Sequence, residues 1–293
     1  MTGTIVTHLA ASRCRLGEGP LWIAEREELV FVDILKREVL AWHATRGLAR
    51  QAMDRRVTCI VLDRDGGFVV AAERGLYRMV PETGALVGMG LDTVSPEGTL
   101  TNDGKCDRQG RLVFGSKDLA EADRIGRKLS YDGKKITDFG PIGIFNGPAF
   151  SPAGDRIYFA DTPTQVIETA TYDPETGAVG KPEPFVRLKK GEGYPDGMTV
   201  DAEGCLWNAR WDGWAIARYA ADGKLLQEIA MPVSRPTSLA FGGERLETLF
   251  VTSAQQGTED GPIAAEPQAG DLFACRPGAR GLAETPFGGT GHA

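Results

Sequence analysis

From Val57 the chain reads VTCIVLDRDGGFVVAAERGLYRM: an apolar run, a turn of aspartate and glycine, a second apolar run, another turn and a third run. Runs this short, rich in β-branched residues and bounded by Asp/Gly clusters, predict strands joined as hairpins. The pattern returns as GEGPLWIAEREELVFVDI from Gly17, TNDGKCDRQGRLVFGSKD from Thr101, FNGPAFSPAGDRIYFADT from Phe145 and PDGMTVDAEGCLWNARWDG from Pro195. A weaker copy, SRPTSLAFGGERLETLFVTSA, starts at Ser234. A period of roughly 40–50 residues is that of a four-stranded propeller blade, and no long segment carries apolar residues at helical spacing. The expectation is an all-β chain: a six-bladed β-propeller of four-stranded blades around a central channel, forming one domain over residues 1–293. The early segment TIVTHLAA is expected to close the ring by adding the outer strand to the last blade, which removes an open sheet edge.

The copies can be aligned on their turn glycines. Eight residues before Gly66, Gly110, Gly154 and Gly204 stand Thr58, Asn102, Asn146 and Asp196. The same count from Gly243 gives Arg235, and the first copy, whose turn lacks the glycine, offers Glu18. Each of these polar residues opens the innermost strand of its blade, so the six are expected to form a ring at one end of the channel. Any one of them could be an ordinary turn residue capping its own backbone; a common register across the copies argues for convergence. Glu18, Asn146 and Asp196 together offer two carboxylates and an amide oxygen, a donor set for Ca²⁺, Mg²⁺ or Mn²⁺ that also tolerates Zn²⁺ or Fe²⁺.

Composition narrows the alternatives. A net charge of −7 argues against a nucleic-acid partner, which needs a basic face, and no basic amphipathic stretch or long apolar run points to a membrane. Five cysteines without CxxC spacing read as free thiols in a reducing, cytoplasmic setting. The three histidines, His8, His43 and His292, lie in no nucleophile motif, so carboxylates, amides and a metal are left to carry any chemistry. Trp207 reads as core packing. Trp211 is placed for stacking on a sugar or for packing at the rim.

The stretches LGEGPLW (16–22), NDGKCDRQGRLVFGS (102–116), FNGPAFSP (145–152) and YPDGMTVDAEGCLW (194–207) resemble, in order, the signatures of the gluconolactonase/regucalcin family, also called the senescence-marker-protein or luciferin-regenerating-enzyme family. The resemblance spans about residues 15–255. It implies a six-bladed propeller with one divalent cation held by Glu18, Asn146 and Asp196, and contact between Asn102 and substrate. It implies a metal-dependent lactonase that opens a small sugar lactone, gluconolactone-like by default, to the aldonic acid, in a monomer or small homo-oligomer. Asp196 is then the candidate general base, or a ligand only, with the cation activating the water. Alternatives are a pentonolactone or an acidic-sugar lactone as substrate, or a non-catalytic calcium-binding regulatory protein. Two positions depart from the family pattern. Leu100, beside Thr101 in the substrate-binding stretch, stands where many members carry an arginine; Gly115-Ser116-Lys117 stands where many read GTM. Lys117 is therefore the candidate replacement for the lost positive charge, or a solvated rim lysine, and an acidic residue of the family pattern falls near Ala120 or Glu121.

Overall fold

The computed structural model describes residues 4–256 and 266–288. Six antiparallel four-stranded sheets follow one another around a ring, the β-propeller that the repeat predicts. Their innermost strands are Gly17–Ile23, Val57–Leu62, Thr99–Cys106, Phe145–Phe150, Tyr194–Val200 and Pro236–Gly242, which open blades 1 to 6. The described residues include two 3₁₀ turns, Ala24–Arg26 and Thr162–Thr164, and no helix long and apolar enough to cross a membrane.

Cores form between neighbouring blades. Leu21, Val30 and Val32 of blade 1 pack against Ile60, Phe68 and Val70 of blade 2. Trp22 stacks on Phe250 of blade 6 at 5.3 Å between ring centroids. Both faces of the inner strands are covered, which is why they read as near-continuous apolar runs once past their polar first residues.

The first strand, Val6–Ala10, pairs antiparallel with Leu272–Cys275 and so completes blade 6, as TIVTHLAA predicts. Buried Asp271 fastens this seam: one oxygen accepts from the Arg13 amide at 3.0 Å, and the other lies 2.8 Å from His8 Nε2. His8 is thus part of the closure and His43 caps an outer turn. His292 lies outside the described residues. All five cysteines are free and buried.

After the last strand the chain runs back across one end of the channel. Gly281 bridges to Asp201 of blade 5, and Phe287 bridges to Asp63 of blade 2 while stacking on Tyr131 of blade 3 at 5.5 Å. Between them Glu284 pairs with Lys105 of the blade 3 inner strand at 2.6 Å, and both line a narrow cavity with residues from the inner strands of blades 1, 2, 5 and 6.

Candidate functional site

Each innermost strand slips register soon after it starts. In blade 1 pairing jumps from Glu18 to Leu21, in blade 4 from Asn146 to Ala149, in blade 5 from Pro195 to Met198 and in blade 6 from Pro236 to Leu239. A bulge of this kind bends the strand and re-aims the side chain next to it. Glycine follows the polar residue in three of these bulges because the inner strands crowd one another near the axis. A Cβ on Gly197 would sit 2.5 Å from Ser238 Cβ, and one on Gly147, where φ is +60°, would sit 2.8 Å from the Asp196 carbonyl oxygen.

Register also corrects one position of the ring. Pro236 faces Ser253 as Pro195 faces Arg210, so the counterpart of Asp196 in blade 6 is Thr237. Arg235 lies before the strand, bonded to Asp212 and to the Gln256 carbonyl, with its guanidinium 4.6 Å over Trp211. Counting from Gly243 misplaces it because Gly243 opens that blade's turn, its carbonyl accepting from the Leu246 amide, whereas Gly66, Gly110, Gly154 and Gly204 close theirs. The ring is therefore Glu18, Thr58, Asn102, Asn146, Asp196 and Thr237. Its two threonines are fully buried and spend their hydroxyls on neighbours: Thr58 on Thr101 at 2.9 Å, Thr237 on Thr252 at 2.9 Å.

The other four line one cavity of about 140 Å³, together with Lys117, Glu121, Thr162, Trp211 and Gln256. Asn102 Nδ2 donates to Asn146 Oδ1 at 2.6 Å and to the Phe145 carbonyl at 2.8 Å. Asn146 Nδ2 donates to Thr162 Oγ1, which donates to the Pro195 carbonyl, both at 2.8 Å. The Asn146 amide is thus fixed with its nitrogen outward and its oxygen keeping a second lone pair. Lys117 Nζ is paired with Glu121 at the cavity wall. Trp207 is fully buried, donating Nε1 to Asp201 at 2.9 Å, whereas Trp211 reaches the cavity.

Two of the sequence candidates stay off the lining. Leu100 is buried opposite Lys117 in the sheet, so nothing at the family's arginine position extends into the cavity. Thr101 is fully buried, donating to the Glu73 carbonyl at 3.0 Å. In the other direction, sequence reasoning passed over Asp103 and Thr162. Asp103 stood in view inside the NDG stretch, whereas Thr162 is brought to Asn146 only by the pairing of two strands and left no local signal.

Burial, then the charges of Asp196 and Asp103, push the Glu18 carboxyl well above the usual carboxylate range. Burial, then Asp103, does the same to Asp196, with Lys117 pulling the other way. Asp103 is also raised by burial, though amide donors from Gly147 and Gly104 hold it back. Lys117 is the one cation among the lining residues and Glu121 already engages it. Like charges this close are sustained by a bound cation or by a proton. Among the described residues no trio of His, Cys, Asp and Glu is placed to hold a metal. The donor set that lines the cavity is instead two carboxylates completed by the Asn146 amide oxygen, and it fits a hard divalent ion.

Residues 16–255 match the family described as SMP-30/Gluconolactonase/LRE-like region. The chain is 34% identical to the pentonolactonase XacC of Haloferax volcanii, over 85% of each chain. It is 34% identical to the L-arabinolactonase of Azospirillum brasilense, over 97% of this chain and 96% of that one. Among solved structures, the calcium-binding protein regucalcin of Agrobacterium tumefaciens superposes with a TM-score of 0.89 at 30% identity, covering 98% of this chain and 97% of that one.

Proposed function

Because the chain belongs to the SMP-30/gluconolactonase/LRE-like family, we propose that it is a metal-dependent sugar lactonase, a hydrolase that opens a small aldonolactone to its aldonic acid. The observation that carries this reading is the convergence of Glu18, Asn146, Asp196 and Asn102 on one cavity of about 140 Å³, room for a small molecule. Relatives named for pentonolactone and L-arabinolactone support a five-carbon substrate, and one of Pseudomonas putida named for 6-deoxy-6-sulfogluconolactone, 32% identical, supports the gluconolactone-like default. Five buried free thiols support a cytoplasmic setting.

Glu18, Asn146 and Asp196 would hold a divalent ion, which when bound supplies Lewis acidity toward the lactone carbonyl. Asp196 accepts a proton from the attacking water. The same group returns the proton to the ring oxygen as the acyl C–O bond breaks. Asn102, anchored through Nδ2, turns its remaining Oδ1 into an acceptor for a substrate hydroxyl. The Lys117–Glu121 pair offers a donor and an acceptor side by side, which suits neighbouring hydroxyls and leaves little net charge to attract an acidic sugar.

A panel of penton-, hexon- and acidic aldonolactones, assayed in the chelator-treated protein with Mn²⁺, Zn²⁺, Fe²⁺ or Ca²⁺ restored singly, tests the proposal. Neutral lactones should be hydrolysed and Asp196→Ala should reduce turnover by three orders of magnitude or more. Near-normal turnover in that variant refutes the site. A second reading, a calcium-binding protein without catalysis, has the regucalcin likeness in its favour; it predicts Ca²⁺ binding with no lactone opened by any metal.

A further inference from the structure

We propose that Asp103 is a positioning residue of this site: it takes the Gly147 backbone N–H that the Asn146 side chain does not take, and so keeps Asn146 Oδ1 turned toward the cavity. The inference rests on the reading above in that this oxygen is a cation ligand.

Three bulges carry the same dipeptide plan, Glu18-Gly19, Asn146-Gly147 and Asp196-Gly197. The register slip takes each glycine N–H out of the sheet ladder, and a buried N–H needs an acceptor. In two bulges the preceding acid serves itself. Glu18 Oε2 accepts from Gly19 at 3.2 Å, and the Asp196 carboxylate accepts from Gly197. Asn146 departs from that plan, since its Oδ1 faces Asn102 and its Nδ2 faces Thr162. The missing acceptor comes from the next blade: Asp103 Oδ2 takes the Gly147 N–H at 2.8 Å, while Oδ1 takes Gly104 N–H at 2.7 Å.

Asn102 and Asp103, consecutive on blade 3, thus hold Asn146 and Gly147, consecutive on blade 4. On its other side Gly147 is wedged against blade 5, where a Cβ would meet Met198 Cε at 2.7 Å. Without Asp103, the nearest substitute acceptor is the one the sister bulges use, the preceding side chain. Asn146 Oδ1 would then fold back onto its own glycine and leave the cavity. Asp103 has no ion-pair partner among the described residues that would tie its carboxylate to another task.

Two measurements test this, both without substrate. Calorimetric titration with Mn²⁺ should show Asp103→Ala binding roughly 10–100-fold more weakly, the range for residues that orient metal ligands. In an Asn146→Ala background the same change should cost little, because two residues that act through one oxygen are not additive. Wild-type Mn²⁺ affinity in Asp103→Ala, or penalties that add in full, would overturn the proposal. Amide exchange at Gly147 in the metal-free protein should quicken in Asp103→Ala, and unchanged exchange would equally overturn it. Asp103→Leu, which keeps the bulk of the side chain and removes both acceptor oxygens, carries both tests if the alanine variant does not fold. Failure of the wild type to bind Mn²⁺ would sink the cation reading, yet Gly147 exchange would still decide the role of Asp103.

Discussion

Two carboxylates held dry beside a third oppose folding unless a proton or a cation joins them, and this makes Glu18 and Asp196 a reporter of their own occupancy. Both are raised in the folded protein, whereas in the unfolded chain they ionise at about pH 4. Between those values the unfolded state binds fewer protons, so stability falls as pH rises. In chelator the melting temperature should therefore decline from about pH 4.5 upward, and Glu18→Gln should flatten the profile and raise the neutral-pH melting point. Saturating Mn²⁺ should remove much of the slope in the wild type. A flat profile in chelator, identical in Glu18→Gln, would contradict the burial of this charge. At this scale the sequence was readable where the copies share a turn: Asn102, Asn146 and Asp196 follow from counting back from glycine. It misled where the glycine opens the turn instead of closing it, placing Arg235 where Thr237 stands. The role of Asp103, which arises between blades, and the Thr162 link to Asn146, which arises from the pairing of two strands within blade 4, were not readable, since local periodicity carries no such information.

Within a blade, the element that matters is the bulged opening of the inner strand. Its glycines are set by the crowding of neighbouring inner strands as much as by any ligand. Gly197→Ala should cost about 1–3 kcal/mol, the range for overpacking a well-filled interior, because its new methyl would meet the Ser238 side chain and backbone. Urea denaturation would register this as a lower midpoint at unchanged slope. The closing strand makes a separate prediction. Asp271→Ala strips the acceptor from His8 and from the Arg13 amide, both reachable by water, at about 0.5–1.5 kcal/mol for each hydrogen bond lost. Its melting temperature should fall by several degrees, and deletion of residues 1–11 should lower it further. A truncated chain that melts like the full one would mean that the seam is not needed. The closure was legible because Thr4–Ala11 alternates as a strand with no hairpin partner nearby. Its fastening was not, since His8 and Asp271 are 263 positions apart.

Over the whole molecule, blades and ring were legible because one unit is repeated six times, and repetition averages out the errors of any one segment. The segment after Cys275 was not. It repeats nothing, and its contacts with blades 2, 3 and 5 depend on the finished ring having an underside to cross. Among the described residues Glu284 and Lys105 line a cavity at that underside, separate from the cavity that Lys117 and Glu121 line. If that second cavity is where the lactone is opened, the acid made there occupies the place that the next lactone needs, beside Lys117 and Glu121. The hydrolysed acid should therefore inhibit competitively, raising KM in proportion to its concentration with kcat unmoved. Initial-rate kinetics with added aldonic acid would show it, and a noncompetitive pattern would mean that acid and lactone do not share this cavity.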